Sequence, residues 1–459
     1  MTVAAHLTLW ALGLTNDTAP DEVRDAACRG LLDGVGTALA AARLGAAEPA
    51  VGVAAALGGP RKATVIGSGG PRIGAPAAAF ANGTLVHALD FDDTHPGGLV
   101  HSTAPVLAAA FAVGQEQRAT GAEVLLAAVA GMETACRIGA AAPHAFHARG
   151  IHATGVAGVL AAALVSARLM RLDVDRTVNA LGIAGSSAGG LLEFLSTGSA
   201  TKQLHPGQAA SNGILAARLA AAGATGPDTV FEGEFGVFRA LAGRTVAPHQ
   251  VLGGLGDRWE LLRVTPKPYP CCQLIHASLN AAQTVVARMA EAGLTAADVE
   301  SVKVTVPKEA VPIVCGPDKA YPKTVYDAKF SLAWTLAAML TDGSVGVDTY
   351  SEGCTRRVQL NELAQRVRFV QARGDGEAAT APGRLTVRFR GGRQERAEEP
   401  ATTAMSDTAL MAKFHANAGG MTPDSEHLAA QLRALGTVRG LGPLLDLTAQ
   451  VAAGKGSVA

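Results

Sequence analysis

The side chains that could do acid–base chemistry in this sequence gather in four short stretches. The first is HALDFDDTH, His87 to His95, with His101 shortly after it. Asp90, Asp92 and Asp93 fall within four residues, beside the hydroxyl of Thr94. Their neighbours are apolar or small, so this is not a solvated charged face. Such a cluster either binds a metal or holds and polarises histidines. Capping a helix end is the plainer use of an aspartate, but it leaves His101 without a role. The second stretch, HAFHARGIHATG, carries His144, His147 and His152 with Arg149. His152 stands out because Gly150 precedes it and Thr154 and Gly155 follow, which leaves room for a ligand. His144 and His147 read as packed or surface residues.

The third stretch is GSATKQLHPG, Gly198 to Gly207. Only 10 of the 39 basic residues are lysines, so Lys202 is not background composition. It lies three residues before His205, at the foot of a helix opened by Pro206. A helix N-terminus, a lysine and a histidine together favour an anion such as a carboxylate. The fourth is KPYPCCQLIHAS, Lys267 to Ser278. Lys267 sits between Pro266 and Pro268, in a stretch that is rigid and extended, so it loses little entropy on binding a ligand. Pro270 then leads into a helix carrying His276.

The elements that must position these groups come in two kinds. Up to about residue 263 the pattern is helical and rich in alanine, apolar on most faces, as expected of helices buried in a large bundle. Thr120 with Glu123 caps a helix over Ala122–Ala140. Another runs from Arg176 to Gly185, and a third from Pro206 to Ala222. Beyond that point SVKVTVP (Ser301–Pro307) and RLTVRFR (Arg384–Arg390) alternate with period two and read as strands. Gly391–Gly392 then turns the second of these into a hairpin with a charged return strand. Helices are expected over Cys271–Ala292, Ala328–Leu340 and Asn361–Val367, and helical pattern returns at Ala409–Asn417 and Ser425–Leu435. The fold expected is mostly α with an α+β part. A discontinuous helical domain, 1–263 and 405–459, would carry an α+β lid domain at 264–404. The acid–base groups would meet where the two join.

Composition removes several classes. With 39 basic and 39 acidic residues there is no surplus with which to neutralise nucleic-acid phosphates. At 48% hydrophobic residues the chain is not disordered. The apolar runs Ala104–Gly114 and Thr154–Met170 are too short, or interrupted by Arg168, to read as membrane spans. Met1–Asp17 has no secretion-signal pattern, and the six cysteines lack zinc spacing, as in a cytoplasmic protein with reduced thiols. The glycine-rich run Gly67–Gly74 follows no strand with GxGxxG spacing, so a dinucleotide cofactor is not expected.

The four stretches, in this order, resemble the MmgE/PrpD family, which includes 2-methylcitrate dehydratases, cis-aconitate decarboxylases and an iminodisuccinate epimerase. The resemblance runs from LLDGVGTALA (Leu31–Ala40) to DAKFSLAW (Asp327–Trp334) and rests on the combination of DFDDT, TKQLHPG and KPYPCC. It implies a large helical domain with a smaller α+β lid, a cytoplasmic homodimer, a small anionic carboxylate substrate, and no metal or other cofactor. It places pocket residues at Asp90, Thr94, His101, His152, Lys202 and Lys267, to which Asp93, His205 and His276 are added as substrate contacts. Where the decarboxylase branch ends the AKFSLAW segment in tyrosine, this chain has Trp334, and the lost phenolic hydroxyl speaks against cis-aconitate decarboxylation. The leading expectation is therefore a cofactor-independent hydro-lyase acting on a di- or tricarboxylate such as citrate or 2-methylcitrate. Lys202 and Lys267 would hold carboxylates, His152 and His101 would serve as base and acid, and Asp90 would orient an imidazole. Epimerisation or decarboxylation of a similar substrate is the alternative. Carboxylate binding without turnover and a metal-dependent hydrolase built on the aspartate run are the rivals. Packing around Phe91, Leu191, Phe194 and Trp334 would set the pocket size.

Overall fold

Alanine has the highest helix propensity and the least side-chain bulk, so an alanine-rich chain makes helices that can approach one another closely. A computed structural model, describing residues 1–372, 378–401 and 404–454, is predominantly helical with a smaller α+β region. Its contacts divide into two compact units. One comprises Met1–Leu192, Thr201–Pro266 and Met405–Ala459; the other comprises Glu193–Ala200 and Lys267–Ala404.

In the first unit the helices Ala75–His87, Thr103–Glu116, Ala153–Leu169 and His205–Ala221 pack on one another. The C-terminal helices Asp407–Ala418 and Pro423–Arg433 return against the Asp21–Arg43 helix. The Gly121–Ala141 helix begins with a capping box between Thr120 and Glu123. It is long and apolar enough to span a bilayer, but 94% of its apolar window is buried within the protein, as in a core helix. The decisive contact for the site is between two glycines. A Cβ on Gly83 would lie 2.7 Å from the Gly207 Cα, and one on Gly207 would lie 2.2 Å from the Phe80 carbonyl oxygen. Only glycine at both positions lets the Ala75–His87 and His205–Ala221 helices touch backbone to backbone. That contact brings His87, one turn beyond Gly83, to the start of the other helix. A short antiparallel ribbon completes this end of the unit: β1 (Asp93–Thr94) pairs with β2 (Thr265–Pro266), Thr94 opposite Thr265.

The second unit is built on a four-stranded sheet in the order β4-β3-β5-β6, made of β3 (Val299–Val306), β4 (Val367–Gln371), β5 (Gly383–Phe389) and β6 (Gln394–Glu399). Val302, Val304 and Val306 of β3 and Leu385, Val387 and Phe389 of β5 are buried, as their alternation predicts. A register shift between Val299 and Ser301 lets Val299 also face inward. Gly391 and Gly392, both at positive φ, turn β5 into β6. The Gln273–Glu291 helix covers β5 and β6 and packs on Leu332–Asp342.

Two expected helices are redrawn. Over Asn361–Val367 the helix is Val358–Ala364, and Val367 instead opens β4, an edge strand running parallel to β3. Ala328–Leu340 is broken: Val325–Ala328 ends, and the Ser331 hydroxyl accepts from the Trp334 amide to start Leu332–Asp342 afresh.

Candidate active site

The site is assembled at the ends of the first unit's helices. The Ala75–His87 helix stops at His87, and Asp90 follows in the left-handed region, φ 52°, which aspartate tolerates better than most residues. That turn sends Asp90, Asp92 and His87 toward one point. The His87 Nδ1–H donates to the Asp92 carboxylate at 2.8 Å. Its Nε2 therefore carries the lone pair, and accepts from the Lys202 ammonium at 2.9 Å. Lys202 reaches this point from a 3₁₀ turn, Thr201–Leu204, just before the His205–Ala221 helix. Its Nζ also lies 2.6 Å from Asp90 Oδ1 and 3.4 Å from His101 Nε2.

His101 is held on three sides. Its backbone amide donates to Thr154 Oγ1 at 3.1 Å, and its Nδ1–H donates to the Asp93 carbonyl at 2.7 Å, with Thr94 Oγ1 3.3 Å from the same nitrogen. In the neutral ring this leaves Nε2 unprotonated on the side of Lys202. His152 stands at the N-terminus of the Ala153–Leu169 helix, its amide donating to the Gly190 carbonyl at 2.7 Å. Its Nδ1 shares a proton with His205 Nδ1 at 3.0 Å, and its buried Nε2 has no partner among the described residues. The rings form one group: His87 and His101 centroids are 4.6 Å apart, His101 and His152 5.7 Å, and His152 and His205 5.2 Å.

Burial sets the protonation of these rings. It is the largest cause holding His87, His152 and His205 below the usual imidazole range, His205 at about 4, and the Lys202 charge pushes each the same way. For His87 the Asp92 carboxylate opposes this without overcoming it. The cluster thus combines an ammonium with the neutral imidazoles of His87, His152 and His205, a suitable receptor for negative charge.

Several expected residues have other partners. Asp93 caps the Thr103–Glu116 helix: it accepts from Thr103 Oγ1 at 2.8 Å, Ser102 Oγ at 3.1 Å and the Thr103 amide at 3.2 Å. Burial, with the Asp92 charge second, raises Asp93 to about 7. His205 meets the cluster through His152. Lys267, immediately after β2, and His276, in the Gln273–Glu291 helix, belong to the second unit, and both are buried. The His276 Nε2–H donates to the Cys271 carbonyl at 3.1 Å, and its ring meets Tyr269 edge to face. His147 lies edge-on to His152, with burial holding it at about 3. Two members, His87 and Asp92, lie in the first stretch but were given no place among the expected pocket residues. The available signal was a histidine five residues before an aspartate across a helix end.

The ligand atoms of His87, His101 and His152, and those of His87, Asp90 and Asp92, lie close enough together to hold a metal ion. His87 Nε2 and Asp90 Oδ1 already accept from the Lys202 ammonium. This donor set is satisfied by a cation that the chain itself supplies.

Two family models match successive parts of the chain. Residues 5–249 match the model of the MmgE/PrpD N-terminal domain, and residues 269–435 match that of the MmgE/PrpD C-terminal domain. A cis-aconitate decarboxylase of Aspergillus terreus is 31% identical over 97% of this chain and 95% of its own length. The human cis-aconitate decarboxylase is 31% identical over 66% of this chain and 63% of its own. A cis-aconitate decarboxylase-like protein, oryM, of Aspergillus oryzae is 32% identical over 61% of this chain and 60% of its own.

Proposed function

Because this chain belongs to the MmgE/PrpD family, we propose that it is a lyase of small tricarboxylates that removes CO2 from cis-aconitate or a close analogue without a metal or organic cofactor. The observation that carries the reading is the Lys202 ammonium set among His87, His101 and Asp90, with the His152 Nε2 directed into the same buried group. The likeness to a cis-aconitate decarboxylase along nearly the whole chain supports decarboxylation as the reading put first.

The chemistry follows from where charge develops. When the bond to the departing carboxylate breaks, its electron pair moves through the adjacent double bond to the carbon beside a second carboxylate. Negative charge spreads onto that carboxylate, and CO2 leaves. A preorganised cation is what such a transition state requires, and this kind of stabilisation is usually the largest catalytic contribution. A proton must then be delivered to carbon. Burial keeps the His87, His152 and His205 imidazoles neutral before substrate arrives, and the charge of a trianion reverses the balance. It raises their proton affinity, so that His152 or His101 takes up a proton and passes it to the substrate carbon.

Dehydration is the second reading, favoured by Trp334 at the place where the decarboxylase branch has tyrosine. Trp334 packs against Tyr350, ring centroids 5.9 Å apart, and the Tyr350 hydroxyl is 3.1 Å from Thr335 Oγ1. One experiment separates the two. Purified protein is incubated with cis-aconitate, citrate and 2-methylcitrate in deuterated water, and products are followed by NMR. Decarboxylation gives CO2 and one deuterium on the carbon that receives the proton; dehydration consumes the hydroxy acids and releases none. His152→Ala is expected to keep its fold and lose about 10²- to 10⁴-fold in turnover, the contribution of one positioned acid or base. No product from any of the three substrates would refute the assignment to tricarboxylates.

A further inference from the structure

The chain has no net charge, yet one cleft of the first unit is lined by five cations. Arg61, Lys62 and Arg72 come from the segment after the Glu48–Leu57 helix. Arg118 lies just past the Thr103–Glu116 helix, and Arg439 just before the Leu441–Ala453 helix. The hollow they line is about 750 Å³, the size of a small-molecule site. Its nearby carboxylates are already paired, Glu116 with Arg218 at 2.8 Å and Asp446 with Arg72 at 3.0 Å. Among the described residues, Arg61, Lys62, Arg118 and Arg439 have no carboxylate partner. Like charges placed together without counter-charge repel, and an anion removes that repulsion.

A second feature points the same way. The 13-residue Leu441–Ala453 helix starts at Gly440 with no side-chain cap and no acidic residue in its first turn. The Leu441 and Gly442 amides and the positive dipole end are therefore available to an anion, Pro443 having no N–H to offer. A Cβ on Gly442 would meet only the Arg72 guanidinium, 3.7 Å away, so the helix start opens beside that group. Arg118 holds φ 55°, a conformation that favours glycine, so a long cation is kept there against the preference of the backbone.

We propose that this cleft is a second ligand site, for a small anion carrying phosphate groups. Guanidinium forks and helix-terminal amides match tetrahedral phosphate oxygens. No aromatic ring lines the cleft on which a base could stack, so a compact, charge-dense ligand fits better than a nucleotide. The Thr103–Glu116 helix begins under the Asp93 cap, and its far end borders the cleft. At 1.5 Å per residue that separates the cleft from the His–Lys cluster by about 20 Å.

The test is calorimetric titration of the full-length protein with inorganic pyrophosphate at fixed ionic strength. The expected result is one site of submillimolar affinity. It should weaken at least tenfold in the Arg118→Ser/Arg439→Ser double variant, because each substitution removes a charge-assisted contact. Both side chains are exposed, so the variant is expected to fold, which circular dichroism checks. Absence of binding at millimolar pyrophosphate overturns the proposal. So does binding of undiminished strength in the double variant, because the anion would then sit elsewhere.

Discussion

Lys202 occupies the position where a metal would otherwise be invoked, and its partners make its removal informative. Asp90 and Lys202 are both buried, their charges 2.6 Å apart. Taking away one member of such a pair leaves an uncompensated charge in a dry environment, which costs about 3–5 kcal/mol. Lys202→Met should therefore lower stability by that order and abolish turnover. Adding Asp90→Asn should recover at least half of the lost stability, with no recovery of turnover. Urea unfolding and a product assay on the two single variants and the double give the coupling directly; strictly additive losses would show that the two charges do not act as a unit. Sequence pattern reached Asp90, His101, His152 and Lys202 because small or apolar neighbours set them apart. It noticed His87 and Asp92 in the same stretch as Asp90 but gave them no pocket role. Their bond depends on the left-handed turn at Asp90, which nothing in the local composition announces. The role of Asp93 was open to either reading, and three hydrogen bonds to Ser102 and Thr103 tie it to a helix end.

Helix ends carry these side chains, so helix spacing controls the site from a distance. Gly83 and Gly207 are the point of closest approach, and a methyl group at Gly83 would press on backbone, which cannot turn aside. Gly83→Ala should cost about 1–3 kcal/mol, as overpacking does, and should also lower kcat, because the shift moves His87 away from Lys202. Gly52, in the exposed Glu48–Leu57 helix, is the control, since a methyl group placed there would have nothing within 4 Å. There Gly→Ala should stabilise by about 0.5–1 kcal/mol with no change in turnover. Thermal unfolding and steady-state rates on both variants decide the point, and equal behaviour would refute it. Period-two alternation made β3 and β5 legible, and the glycine pair made their hairpin legible. The strand β4 was not legible: in VRFVQ only Val367 is buried, and its partner β3 lies some sixty residues away. The contact between Gly83 and Gly207 was hidden for the same reason, since neither glycine carries any mark of the other.

Burying so many imidazoles ties the stability of the first unit to pH, with a sign that can be worked out. His87, His147, His152 and His205 are all held below the ordinary imidazole value, His147 at about 3 and His205 at about 4. Below pH 6.5 the unfolded chain protonates these rings while the folded chain does not, so their stabilisation is complete above that pH and is lost as pH falls toward 4. Asp93, raised to about 7, and Glu133, also raised by burial, act oppositely, because the folded state keeps a proton that the unfolded state releases near pH 4. The lowered histidines outnumber the raised carboxylates, so near pH 5.5 the unfolded state should hold more protons than the folded one. Stability should then fall as pH drops from 6.5 to 5, a window above the range in which ordinary carboxylates titrate. Trp10 and Trp259, with ring centroids 5.8 Å apart, both lie in the first unit, and Trp334 lies in the second. In a Trp334→Phe background, tryptophan fluorescence therefore reports urea unfolding of the histidine-bearing unit alone. His205→Asn in that background should remove about one proton from the difference and flatten the slope by about 1.4 kcal/mol per pH unit. A urea midpoint unchanged from pH 6.5 to 5, or a slope indifferent to His205, would mean that the imidazoles take up protons in place and that the cluster is not the neutral receptor its burial implies.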